Sequence, residues 1–429
     1  MQIKHKPFTR TLTAGLLLVA LSACSSNDDD AVDSLITDES VDTTDTTVQS
    51  NEDSLSTAVT CEAANAAETP SAADAPYFAF TASRTSAFDA GLYERIAIGD
   101  TPELSGCTEP NASSDNFADT DGTDLYGIGR FQQDNVTRYD IESLEADYQY
   151  SVVGEDGVAS NPHDMAFVSD TKAYVARYGT GEVWIVDPSA TSQEEFFVGE
   201  IDLSVYDADG ATEMTRLVIV GDRLFVLMQR LQVFSPTLNG YIAVIDTNTD
   251  TEIATGQGQD GLNGIELPMR NGMDMFFNEA TNDLVVSSAG DFFNPDGPTT
   301  DTLTGGVVLV DATDFSTEVL IDDDTLNEFV SSVAIASPEK GYVLTTTSFG
   351  TAFLRAFNPS TGIIETDPLP NFNGIDITLV EVGPAGNVWV GVNDETAPGL
   401  DRLNPDDDSL IGERVRTELI PINLVFVAR

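Results

Sequence analysis

NPHDMAFVSDTKAYVARYGTGEVWIVDP, residues 161–188, decides how the rest of the chain is read. It holds three short β runs, Met165–Val168, Ala173–Ala176 and Glu182–Val186. A polar turn (Ser169–Lys172) separates the first two, and a glycine-containing turn (Tyr178–Gly181) the last two. Asp187-Pro188 stops the third run, because proline has no N–H to give to a sheet ladder.

The same unit returns along the chain. The third run ends each time in an acid or an amide: Tyr139-Asp140, Val186-Asp187, Ile245-Asp246, Val310-Asp311, Phe357-Asn358 and Leu403-Asn404. The spacings are 47, 59, 65, 47 and 46 residues, the larger two carrying insertions, notably Ala289–Thr304. A four-stranded blade takes roughly 40–50 residues, so the period predicts a β-propeller. The second run recurs as well, at Leu125–Gly129, Ala173–Ala176, Leu224–Met228, Leu284–Ser287, Tyr342–Thr345 and Val388–Gly391. Runs such as Gly305–Val310 (GGVVLV) and Tyr241–Ile245 (YIAVI) are apolar at consecutive positions, the pattern of strands buried on both faces. Blades packed face to face require that pattern, whereas a β-sandwich alternates more cleanly.

The segment YIAVIDTNTDTEIA, from Tyr241, resembles the YVTN-type repeat, and Asn161–Pro188 and Asn116–Gly129 match that repeat's earlier half. The resemblance covers most of residues 76–429 and implies seven blades; it implies no single activity, because propellers host many. Six units follow Asp115, and an earlier partial one has Tyr77–Thr81 and Leu92–Ile98 but no first run. Asn423–Val427 (NLVFV) is expected to supply the missing innermost strand beside Tyr77–Thr81, closing the ring and removing an open sheet edge. The fold class expected is therefore all-β, a seven-bladed propeller over residues 76–429.

Residues 1–23 read as a targeting segment, with Lys4, Lys6 and Arg10 ahead of the apolar run Leu12–Leu21, which is too short to span a bilayer. Leu21-Ser22-Ala23-Cys24 resembles the lipobox of bacterial lipoproteins, which implies lipidation of Cys24 and anchoring by its acyl chains. By the same resemblance Ser25 and Ser26 suit the outer membrane, its periplasmic or outer side left open. Residues 24–75 are expected to be a disordered acidic tether, too poor in apolar residues to offset chain ordering.

Removing the targeting segment takes away three basic residues and no acid, so the formal charge falls from −53 to −56, and Lys172 and Lys340 are the lysines left. Nucleic acid and anionic membrane surfaces are poor partners for such a chain. With Cys24 assigned to lipid, Cys61 and Cys107 are expected to pair, stapling the tether's end to the first folded unit.

Aligning the repeats places the loops that lead into the innermost strands around the central channel. They offer His163, Asp164, Thr215, Arg216, Arg270, Asp274, Ser331 and Asp376 as ligand-binding candidates. His163 is a ligand contact or metal ligand at the channel mouth, helped by Asp164 and Asp376, or a loop residue satisfied by backbone carbonyls. Arg216 and Arg270 hold a carboxylate or phosphate by two parallel bonds, or pair with neighbouring aspartates between blades. Asp119, Asp121 and Asp124 resemble part of a calcium loop, but the spacing of a full loop fails and an Asp-Gly turn explains them. Trp184 and Trp389 lie inside strands and read as core.

No catalytic residue is assigned: no G-x-S-x-G elbow and no HExxH stands in the chain. The first functional reading is a non-catalytic, lipid-anchored binding module at the outer membrane, holding a small ligand or a partner protein. By fold analogy it hands a ligand such as a metal chelate to an outer-membrane transporter. The second is a lactonase-like hydrolase using channel-mouth acids and a divalent cation such as calcium. The third is a scaffold of an envelope complex.

Overall fold

Consecutive apolar residues in one strand serve two different interfaces, and that explains the strands of this chain. Along Tyr241–Asp246, the side chains of Tyr241, Ala243 and Ile245 enter one hydrophobic cluster, while Ile242 and Val244 enter the next. Each cluster joins one sheet to its neighbour. In the computed structural model, which describes Cys61 and residues 74–108, 113–155, 157–232, 234–292, 294, 297–348 and 351–429, seven such clusters join seven antiparallel sheets. The targeting segment, Cys24 and the tether except Cys61, Asp74 and Ala75 lie outside the described residues.

The sheets are the blades of a seven-bladed propeller. The innermost strands of blades 2 to 7 are Asn116–Thr120, Pro162–Ser169, Met214–Val220, Gly272–Asn278, Phe329–Ser337 and Asp376–Val382. In each blade the chain then steps outward strand by strand. Among the described residues α-helix is confined to the single turn Gln193–Phe196. Close packing restricts side-chain size between blades: a Cβ on Gly127, in the second strand of blade 2, would meet the Tyr93 ring of blade 1 at 2.5 Å.

Blade 1 runs inward from Glu103–Cys107 through Gly91–Ile98 and Tyr77–Arg84 to the C-terminus. Val425–Ala428 pairs antiparallel with Tyr77–Phe80, which puts the closing strand where the sequence predicts it. The closing strand is interrupted, however. Ile420–Pro421 pairs with Ser83–Arg84, and between the two pieces Ile422 N keeps one backbone bond, to Ala82 O (2.8 Å), while the side chain of Asn423 takes the place of the next. Its Oδ1 accepts from Ala82 N (3.1 Å) in blade 1 and from Ala118 N (3.2 Å) in blade 2, and its Nδ2 donates to Ala118 O (2.8 Å). One amide thus behaves as a peptide group of a strand and ties the end of the ring to its beginning.

Cys61 and Cys107 form the expected disulfide, with Cα atoms 6.0 Å apart, fastening Cys61 to the outer strand of blade 1. Trp184 and Trp389 are core, as their strands predicted.

Two blade junctions carry the same polar clamp. At the junction of blades 3 and 4, Lys172 Nζ donates to both carboxylate oxygens of Asp250 (2.8 and 2.9 Å) and to Thr247 O, and Tyr174 OH donates to Asp250. At the junction of blades 6 and 7, Lys340 Nζ and Tyr342 OH donate to Asp408 at 2.7 and 2.6 Å. Lysine and tyrosine stand two residues apart on a second strand, and each aspartate occupies a turn with positive φ, 55° and 58°. That backbone region is one that Asp and Asn reach at lower cost than most residues.

Candidate functional site

The innermost strands of blades 3 to 7 share a bulge at their second or third residue, where His163, Thr215, Met273, Ser331 and Thr378 are left outside the pairing register. A bulge re-aims the side chains around it. The candidates named from the sequence therefore lie in the opening residues of strands, not in the loops before them, with Arg270 alone in a loop. Immediately after the bulge, Asp164, Arg216 and Asp274 occupy one matching level of blades 3, 4 and 5.

Those three side chains converge. Arg216 Nε donates to Asp274 Oδ1 at 2.6 Å across the junction of blades 4 and 5. The same guanidinium lies 4.2 Å from the ring centre of Phe117, which belongs to blade 2. Blades 2 and 4 are not neighbours, so this contact passes through the central channel. Asp164 Oδ2 accepts from Leu217 N at 2.7 Å. Of the two roles open to Arg216, pairing with a neighbouring aspartate is the one its geometry takes.

Two further acids complete the group, and sequence reasoning missed both. Asp119 and Glu381 sit at a matching level of blades 2 and 7, two residues beyond that of Arg216, judged by their pairing with Tyr126 and Trp389. Asp119 Oδ1 accepts from Thr120 N at 2.7 Å, and its Oδ2 makes no hydrogen bond within the protein. The rest of the proposed calcium-loop fragment is a turn: Asp121 Oδ1 accepts from Thr123 N and Asp124 N, both at 2.8 Å.

Enclosure by protein dominates the electrostatics. It pushes the Asp119 carboxyl well above the usual range, with repulsion from Asp164 adding and Arg216 opposing. Asp164 is raised to about 6 by burial, against the pull of Arg216 and the Leu217 N–H. Glu381 is exposed to the water of the channel, and the protein packed around it, with the nearby Asp274, moves its carboxyl above its ordinary value. Burial works to lower the Arg216 pKa, but Asp274, Asp164 and Asp119 more than reverse it. One cation thus faces four carboxyl groups.

A polar chain crosses the rim above this level. His163 is buried and stacks on Tyr178, with ring centres 4.0 Å apart and planes 15° from parallel. Arg130 Nη2 lies 2.6 Å from His163 Nε2, and Arg130 also pairs with Asp115 at 3.4 Å. Burial, then Arg130 and Arg216, hold the imidazole well below its ordinary pKa, so it is neutral. Tyr178 OH donates to Gln229 (2.8 Å), whose Nε2 reaches Met273 Sδ at 3.3 Å. This chain runs over blades 2 to 5.

The remaining candidates make hydrogen bonds within or between neighbouring blades. Thr215 Oγ1 donates to Gly272 O (3.0 Å), Ser331 Oγ to Leu344 O (3.1 Å), and Asp376 Oδ2 accepts from Asn393 Nδ2 (2.7 Å). Arg270 joins two outer-rim loops, its N–H donating to Thr304 O and its Nη1 to Pro236 O. Among the described residues no group of three or more His, Cys, Asp or Glu is arranged to hold a metal ion. The channel acids Asp119, Asp164, Asp274 and Glu381 are spread over four blades.

No family model matches the chain, and no curated protein sequence does. Among solved structures it is similar to the dihydro-heme d1 dehydrogenase NirN in complex with DHE, at 12% identity over 80% of this chain and 67% of that one, TM-score 0.49. It is similar also to a streptogramin B lyase, at 10% identity over 80% and 88%, TM-score 0.47. A third is a putative 6-phosphogluconolactonase from Bacteroides uniformis, at 10% identity over 82% and 85%, TM-score 0.40. Similarities this distant say nothing of chemistry.

Proposed function

We propose that this chain is a lipid-anchored, YVTN-like propeller of the outer membrane that binds a positively charged ligand in its channel and does not convert it. The observation that carries this reading is the excess of carboxyl groups over cations at the channel centre, where Arg216 pairs with Asp274 and Asp119, Asp164 and Glu381 lie near enough to feel its charge. Carboxyl groups held above their usual pKa ionise readily when a cation arrives, because its field favours the charged form. The acyl chains expected on Cys24 hold the module at the membrane, in reach of a transporter that would receive the ligand. The anionic-ligand alternative loses support, because Arg216 is engaged by Asp274.

Calorimetry on the full-length lipoprotein in detergent micelles tests this. Agmatine should bind saturably and more weakly as salt rises, with Asp119→Asn reducing its affinity, and sodium succinate should give no heat. Binding of succinate in place of agmatine overturns the reading.

A further inference from the structure

At the far end of the channel a cleft of about 250 Å³ lies between the inner strands of blades 5 and 6, and Glu381 of blade 7 forms part of its wall. Its apolar lining comes from Phe276, Phe277, Val333, Ile335 and Val382. The rings and aliphatic groups here are only partly covered by the blade interfaces: Phe276, Ile335, Phe277 and Val382 all pack at cluster margins. The outer lip is the exposed turn Glu279-Ala280. Such a cleft is smaller than the roughly 300–1,000 Å³ of a drug-sized ligand site, so it admits a short stem and not a cofactor.

A cleft that sets apolar side chains beside the Glu381 carboxylate, with Asn278 and Glu279 also in its wall, has a definite chemical complement. We infer that this cleft is the specificity half of the channel site: it takes a small organic cation, with the ammonium group on Glu381 and a short alkyl stem along Phe276 and Val333. The inference rests on the channel reading above and narrows it from any cation to one carrying an apolar stem. Inorganic cations and polar amines gain nothing from the slot, whereas each buried methylene strengthens binding several-fold. The charged groups that face Glu381 are Asp274 and Arg216 in the channel and Glu279 at the lip. Asp274 and burial favour its neutral form and Arg216 opposes them, so ligand affinity rises as pH climbs through the range where Glu381 ionises.

The test compares methylammonium with n-butylammonium by calorimetry on the full-length lipoprotein in micelles, subtracting titrations into empty micelles. The butyl compound should bind about tenfold or more tightly than the methyl one, and more tightly at pH 9 than at pH 6. Glu381→Gln should abolish the difference between the two pH values. Ala280→Trp, at an exposed turn position on the cleft's lip, should fill the cleft and remove the butyl preference, bringing the two amines to equal affinity. Equal affinities for both amines, with no effect of Ala280→Trp, overturn the cleft and leave the channel reading standing. No binding of either amine, or of agmatine, overturns both.

Discussion

Replacing Asn423 by alanine should loosen the ring at its seam. Asn423 is buried, and its side chain satisfies Ala82 N, Ala118 N and Ala118 O. The substitution leaves those three backbone groups without their partner, and a buried unsatisfied group costs about 1–3 kcal/mol. Partial relaxation and water entry bring the expected total to about 3–6 kcal/mol. For a domain of this size the entropy of unfolding is on the order of 0.7 kcal/mol per degree. Asn423→Ala should therefore lower Tm by roughly 4–8 °C, read by differential scanning calorimetry at one fixed scan rate. Hydrogen exchange should accelerate first in Tyr77–Arg84 and Val425–Ala428, the strands that meet at the seam. A fall of less than about 2 °C, or exchange that rises evenly over all blades, would show that the side chain is not what closes the ring.

Two further perturbations probe the same architecture. Arg216→Leu removes the cation that lowers Asp119, Asp164 and Glu381. These carboxyls already sit above their unfolded values, so they favour the folded state when protonated and oppose it once ionised. The loss of Tm in Arg216→Leu should accordingly be larger at pH 8 than at pH 5, and equal losses would refute an electrostatic role. Asp250→Asn and Asp408→Asn keep the positive-φ turn but remove the charge that Lys172 and Lys340 grip. Each should cost about 1–2 kcal/mol, and because the two clamps share no partner the double variant should show the sum. Strong non-additivity in denaturant melts would argue against two independent clamps.

What could be read from the sequence was whatever repeats. Ile245-Asp246 and its counterparts mark strand ends because each blade stops the same way, and consecutive apolar residues such as YIAVI follow directly from a blade with two buried faces. The closing strand was legible for a related reason: the first unit lacked a run and the last had one to spare. The channel was legible only in part. Asp164, Arg216 and Asp274 stand where the repeats align, but Glu381 follows a bulge that displaces its register by one residue, and Phe117 and Asp119 sit on the inner strand of blade 2, which lacks the bulge of blades 3 to 7. Asp119 was also hidden in an acid-rich turn, although Glu381, a lone acid within the apolar run Ile377–Val382, was a usable signal. Arg130 was invisible because its partner His163 lies on another blade, and no local pattern connects a turn after one strand to the start of the next blade.

The paired clamps have a practical consequence for anyone handling this protein. After residue 23 the chain offers Lys172 and Lys340 as its lysine side chains, and both ammonium groups are held against aspartates between blades. Dyes, biotin esters and crosslinkers aimed at primary amines will find little to react with, and where they succeed they will pry a junction apart. Probes and surfaces are better attached through an introduced thiol on an outer blade edge, where the ring does not depend on the site of attachment.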